Sequence, residues 1–187
     1  MENTINTEEI RKCCFTGYRP SKFPFSLAKN GRPFREFENT LIEKILTLID
    51  ENCFVFYSGM AMGFDIIAAE TVLLIKKAYN HKIKLIAVIP FENQADSFTS
   101  HWRERYENVL KECDKKIVLS QDYFSGCYQK RNIFMVDNSD YVLTWYDGKS
   151  GGTRNTLDYA AKKGRFIMNA NQKECENFAL QTTFEII

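Results

Sequence analysis

In three places along this chain a short apolar run ends abruptly in a glycine-bearing loop. The loops are Thr16-Gly17-Tyr18-Arg19, Ser58-Gly59-Met60-Ala61-Met62-Gly63-Phe64-Asp65 and Asp147-Gly148-Lys149-Ser150-Gly151-Gly152-Thr153. The second and third lead straight into residues with helical periodicity. A strand that turns on glycine and opens a helix leaves unpaired backbone N–H groups at the positive end of the helix dipole, a setting that attracts anions. This pattern predicts a pocket for a phosphate-bearing ligand, most simply a nucleotide.

The rest of the chain supports one architecture. Residues 12–15 form a β-type run, followed by a long proline-bearing loop over 20–33 that reads as a flap or an excursion. Phe34, Phe37, Leu41, Ile45 and Leu48 recur at spacings of three and four and predict a helix over 34–51. The continuous apolar run at 53–57 suits a parallel strand covered on both faces, a buried-strand run follows at 83–89, and strands are expected at 141–146, 116–119 and 165–169. Helical patterns fall between them, over 64–79, 99–112, 127–138 and 152–163, the last closed by Gly164. Residues 184–187 are a candidate edge strand. Strict alternation of strand and helix predicts an α/β, Rossmann-like, doubly wound fold. Its sheet is mostly parallel, with about six strands and helices on both faces. In such sheets ligands sit beyond the carboxyl ends of the strands, where the strand order reverses. The length of 187 residues predicts a single domain with its core over 12–169, a polar N-terminal tail and a short C-terminal extension.

Composition narrows the function. With 25 basic against 24 acidic residues the net charge is +1, which argues against nucleic acid as a partner. No apolar stretch approaches the roughly 20 residues that span a bilayer. Residues 1–10 are polar and acidic, unlike a secretory leader, so the expectation is a cytoplasmic protein. Six scattered cysteines without a CxxC pair read as reduced thiols, and neither His81 nor His101 sits in a catalytic or metal-ligating pattern. No metal site is predicted.

Each motif carries a ligand reading beside a structural one. Gly59 and Gly63 permit a tight turn and close approach to a ligand. Ser58 can cap amides or meet a phosphate. Asp65 lies in the first helical turn, where a carboxylate opposes the dipole without any ligand. The loop lacks both the dinucleotide GxGxxG spacing and a P-loop lysine. Gly151, Gly152 and Thr153 open their helix as a phosphate site or as a plain turn, and Thr156 adds a hydroxyl or packs. Arg19 either grips a phosphate or pairs with a surface acid. Arg131 contacts ribose or phosphate, or belongs to a solvated helix face.

Five blocks resemble the YpsA-type branch of the SLOG superfamily. They are Thr16-Gly17-Tyr18-Arg19-Pro20, Ser58 to Asp65, Pro90-Phe91-Glu92-Asn93-Gln94, Arg131-Asn132 with Met135 to Asp140, and Trp145-Tyr146-Asp147-Gly148 leading to Gly151-Gly152-Thr153. The superfamily also includes the lonely-guy phosphoribohydrolases and DprA. The resemblance implies a Rossmann-like protein that binds NAD, ADP-ribose or a nucleoside phosphate, and a branch regarded as ligand sensors in low-GC Gram-positive bacteria. Arg131 aligns with the arginine of the hydrolases, but their glutamate position holds Thr156.

The expected function is therefore nucleotide binding by a sensor or regulator, with a possible bound nucleotide as the cofactor-like group and a homodimer as a candidate assembly. Amides of Gly17, Gly59, Met60, Ala61, Gly152 and Thr153 would hold phosphate and Arg19 and Arg131 would neutralise it. Thr16, Ser58, Gly63, Asp147, Gly151 and Thr156 complete the expected ligand shell. One alternative is a nucleotide N-glycosidase, for which Asp65, Asp147 and Arg131 are the candidate catalytic groups. Another is DprA-like binding of single-stranded DNA.

Overall fold

The structure, a computed structural model, describes residues 9–27, 31–79 and 82–171. The expectations for the tail at 1–8, the turn holding His81, Cys175 and the strand at 184–187 lie outside the described residues. The elements follow the alternation in the sequence: β1 (Arg11–Gly17), α1 (Arg32–Asp50), β2 (Cys53–Ser58), α2 (Phe64–Ala78), β3 (Lys84–Ile89), α3 (Ser100–Glu112), β4 (Lys115–Val118), α4 (Cys127–Asp137), β5 (Tyr141–Trp145), α5 (Gly152–Lys162) and β6 (Phe166–Asn169). The strands form one sheet in the order β4-β3-β2-β1-β5-β6, and every pairing is parallel. The fold is the expected doubly wound α/β, Rossmann-like architecture, with a wholly parallel sheet.

The order fixes the layers. From β1 the chain winds outward through β2 and β3 to β4, and α1, α2 and α3 pack against one another. It then crosses back to β5 and β6, and α4 packs with α5. Right-handed crossovers in opposite directions put these two groups on opposite faces. The reversal lies between β1 and β5, so the crevice opens beyond Gly17 and Trp145, which are partners in the ladder.

The core explains why the central strands are rich in apolar residues. All five residues of β5 are buried. Phe15 stacks on Phe56 at 5.9 Å and meets Phe64 edge-on at 6.4 Å. β1 runs two residues beyond the expected 12–15, so Thr16 and Gly17 belong to the sheet. A side chain at Gly17 would overlap the Phe64 ring, so this glycine serves helix–sheet packing. The loop after β1 is pinned through its first half. Phe23 is buried, 4.7 Å from Trp145 and 5.6 Å from Phe37, and Phe25 packs on the same two rings. The first half of the expected 20–33 flap is thus packed on the core through its aromatic side chains. Cys13, Cys14 and Cys53 are fully buried free thiols, and burial pushes Cys14 and Cys53 up to about 12. At neutral pH they act as small apolar side chains.

Candidate functional site

The loop between β2 and α2 satisfies itself. Ser58 is wholly buried; its hydroxyl accepts the Met60 N–H at 3.1 Å and donates to the Asp65 carbonyl at 2.9 Å. The Ala61 N–H serves the Asp65 carboxylate. Gln94 donates to the Met60 carbonyl at 3.2 Å, and the Phe64 N–H donates to Tyr18 O at 3.1 Å. Gly63 lies beneath Tyr18 O and Pro20, with no room for a side chain. In the expected phosphate cradle the Met60 amide is thus taken by the Ser58 hydroxyl, and the Ala61 amide faces the Asp65 carboxylate and lowers its pKa. Ser58 is committed for the same reason.

Arg131 is not on a solvated face. α4 turns it inward, and 4% of the residue is exposed. Its Nη1 donates to Gly59 O, its Nε donates to Asn132 Oδ1 at 2.8 Å, and Asp65 Oδ2 lies 4.0 Å away. A side chain on Gly59 would overlap the guanidinium, so the absence of one at Gly59 makes room for Arg131. Burial raises the Asp65 pKa against the opposing pull of Arg131, Arg19 and the Ala61 amide. Burial likewise lowers that of Arg131, with Asp65 opposing and Arg19 adding to the shift. Both groups lie behind the loop, under the surface.

The loop between β5 and α5 is different. Its carboxylate is committed: Asp147 accepts from the Tyr18 hydroxyl and pairs with Lys149 Nζ at 2.7 Å. Burial opposes its ionisation, yet Lys149 and Tyr18 hold its pKa below the ordinary value. The start of α5 is open. Gly151 caps the helix without a side-chain bond, and the first helical bond runs from Asn155 N to Gly151 O at 3.0 Å. Among the described residues the amides of Gly152, Thr153 and Arg154 have no hydrogen-bond partner. Among the described residues, its chain neighbours and own helix backbone aside, no atom lies within 4 Å of where a side chain on Gly152 would begin.

Beside that helix start, α4 and α5 enclose a cleft of about 290 Å³, lined by Tyr128, Asn132, Asn155, Thr156 and Tyr159 among others. Asn132 Nδ2 donates to Thr156 Oγ1 at 2.8 Å, and Thr156 Oγ1 donates to Gly152 O at 2.9 Å. With the Arg131–Asn132 bond, this chain ties the buried ion pair to the first turn of α5. Two cations stand at the mouth. Arg19 Cζ lies 5.8 Å from the Tyr128 ring centroid, and Lys22 Nζ lies 3.0 Å from the side-chain position of Gly151. Neither forms an ion pair within 4.0 Å among the described residues, although Arg19 acts on the Asp65 carboxylate at longer range.

The structure therefore gathers Arg19, Gly151, Gly152, Thr153 and Thr156 at one place. It leaves Thr16 and Gly17 in the sheet and puts Ser58, Gly59, Met60, Ala61, Gly63, Asp65 and Arg131 into a buried support beneath. Sequence reasoning missed Lys22, Tyr128, Asn132, Asn155 and Tyr159. The available signal was an i,i+4 pair of ring and amide on each helix, Tyr128 with Asn132 and Asn155 with Tyr159, each just after a glycine. Among the described residues no helix is long and apolar enough to cross a membrane, and no cluster of metal-ligating side chains occurs.

Comparison with known proteins gives consistent relatives. The chain is 35% identical over 134 residues to the SPbeta prophage-derived protein YoqJ of Bacillus subtilis, covering 65% of this chain and 77% of that protein. It is 32% identical over 157 residues to a UPF0398 protein of Brevibacillus brevis, covering 82% of each. Among solved structures it is similar to DNA processing protein A (DprA) of Streptococcus pneumoniae, with TM-score 0.58, 18% identity and coverage of 92% of this chain. It spans 56% of the length of that protein. DprA of Helicobacter pylori, described for its single-stranded DNA binding mode, matches with TM-score 0.56, 18% identity and coverage of 90% of this chain and 73% of that one. The expectation that net charge argues against nucleic acid is not upheld, since this neighbour of the same fold is a protein described for single-stranded DNA binding. Net charge sums over the whole surface, while binding responds to the local field. Here Arg19, Lys22 and Lys130 form no ion pair among the described residues, whereas Lys76, Lys84 and Lys116 are paired. The family model described as the YspA SLOG family matches residues 13–181, and the chain belongs to that family.

Proposed function

We propose that this protein binds a nucleotide, free or within a single strand, across the carboxyl ends of β1 and β5. Its phosphate rests on the Gly152, Thr153 and Arg154 amides, its charge is met by Arg19 and Lys22, and its base or sugar enters the α4–α5 cleft. The observation that carries this reading is the open first turn of α5 with Lys22 beside it and Arg19 over Tyr128, neither in an ion pair among the described residues. Backbone N–H groups at a helix start favour anions, and guanidinium adds charge-assisted hydrogen bonds. Ring and amide side chains in the cleft suit a planar heterocycle.

Holding is favoured over cleavage. Among the described residues no carboxylate lines the cleft. Asp65 is buried behind the neighbouring loop, and the Asp147 oxygens are taken by Tyr18 and Lys149. Glycosidic cleavage calls for carboxylates beside the scissile bond. The reading is thus of a ligand sensor for NAD, ADP-ribose, a nucleoside phosphate or a single strand. Thermal unfolding with each of these, and with short single-stranded oligonucleotides, tests it. A ligand at 100 times its Kd adds about 2.7 kcal/mol of stability. Gly152→Asp, which places an acid over the open amides, removes the shift. No shift with any nucleotide or oligonucleotide refutes the proposal.

A further inference from the structure

Outside the cleft, the loop between β4 and α4 presents an arrangement that folding does not explain. Tyr123 is 63% exposed and Phe124 is 39% exposed, the only two consecutive exposed large hydrophobic residues among those described. Leaving adjacent rings in water forgoes the stabilisation that burial would give. The loop is also held in place. Ser120 Oγ donates to Asp122 O at 2.8 Å, Cys127 N to Phe124 O at 3.1 Å, and Glu92 N to Gln121 O at 3.2 Å.

The rings continue the wall of the cleft. The Tyr128 centroid lies 6.4 Å from that of Tyr123, and Phe91 meets Tyr123 at 5.4 Å and Tyr128 at 5.9 Å. Cations accompany them. Arg19 stands over Tyr128, and Lys130 Nζ lies 5.6 Å from the Phe124 centroid with no acidic partner among the described residues. Asp122 is the one acid in the loop from Leu119 to Gly126.

We propose that Tyr123 and Phe124 form a second stacking platform, one ring beyond the cleft, so that the ligand carries two planar heterocycles joined through phosphate. The inference rests on the nucleotide reading above and specifies its ligand class. Aromatic faces accept any base, and flanking cations meet the linking phosphate. Two sources share this chemistry: a pyrophosphate-linked dinucleotide such as NAD, and a phosphodiester-linked strand.

Calorimetric titration compares a nucleoside monophosphate, NAD and a phosphodiester dinucleotide of the same base. At least one two-base ligand is expected to bind about tenfold tighter than the monophosphate, in line with one added stack. The variant Tyr123→Ala/Phe124→Ala removes that advantage and leaves monophosphate affinity unchanged, and its melting temperature confirms that it folds. A gain for NAD alone assigns the platform to a free dinucleotide, and a gain for the phosphodiester alone assigns it to a strand. Monophosphate binding without a gain for either overturns the platform and leaves the proposed function standing, as does equal weakening of every ligand by the double variant. Absence of binding by all three overturns both.

Discussion

The β2–α2 and β5–α5 loops look alike in sequence and end in opposite states. Each follows a buried strand, turns on glycine and opens a helix. In the first, Ser58 and Asp65 fold back onto the Met60 and Ala61 amides, and Arg131 fills the space over Gly59. In the second, the Asp147 carboxylate of the loop is held by Tyr18 and Lys149, and among the described residues the first-turn amides of α5 stay open. The difference teaches that glycine makes a cradle possible but does not keep it empty. Whether a polar side chain within reach takes up the amides decides the outcome. Position reinforces this, since the open loop borders the β1/β5 reversal and the closed one lies a strand away.

The largest test of this contrast strikes the closed loop. Arg131→Met strands the Asp65 carboxylate in the interior, and urea unfolding is expected to show a loss of about 3–5 kcal/mol. Adding Asp65→Leu to that variant recovers much of the loss, because the lone charge is gone. Ser58→Ala removes an acceptor from Met60 and a donor to Asp65, a loss of about 1–3 kcal/mol with nucleotide affinity retained. Loss of affinity without loss of stability in Ser58→Ala would break the comparison.

The open loop reverses that pattern. The Cβ of Gly152→Asp meets no atom within 4 Å outside its own helix and chain neighbours among the described residues. The substitution puts an acid at the helix start and is expected to leave stability equal or higher by about 0.3–1 kcal/mol while nucleotide binding disappears. Calorimetry and urea unfolding on one preparation read both effects.

The smallest effects are in pH dependence. The folded Asp147 pKa lies below the ordinary 3.8, so its contribution to stability is full above that value and fades as pH falls through the folded pKa. Asp65 has the opposite sign. Its raised folded pKa makes the native state bind more protons above 3.8, so its contribution is present at low pH and declines as pH rises toward the folded pKa. Urea midpoints against pH should show a flatter acid limb for Asp147→Asn than for the native chain. An unchanged acid limb would mean that the Tyr18–Asp147–Lys149 contacts contribute nothing to acid stability.

Much of the fold could be read in advance because period and punctuation are local properties. Phe34, Phe37, Leu41, Ile45 and Leu48 mark one helix face by spacing alone, and all five are buried in α1. The parallel strand β2 announced itself as an unbroken apolar run over Cys53–Tyr57. The site was legible only in part. Gly151, Gly152, Thr153 and Arg19 came from the motifs, but Lys22 sits in a loop whose path depends on Phe23 packing against Trp145, a contact over a long sequence separation. Arg131 looked equally apt for a solvated face, and nothing local distinguishes that from its buried seat above Gly59.

The sequence by itself determined the doubly wound α/β plan and the places where helices begin after glycine, because hydrophobic period and backbone freedom act over a few residues. Only the tertiary structure decided which glycine loop stays open, which cations form no ion pair and which rings face water. Those outcomes depend on side chains brought together from β1, α4 and α5, and their hydrogen bonds and burial are settled only when the sheet assembles.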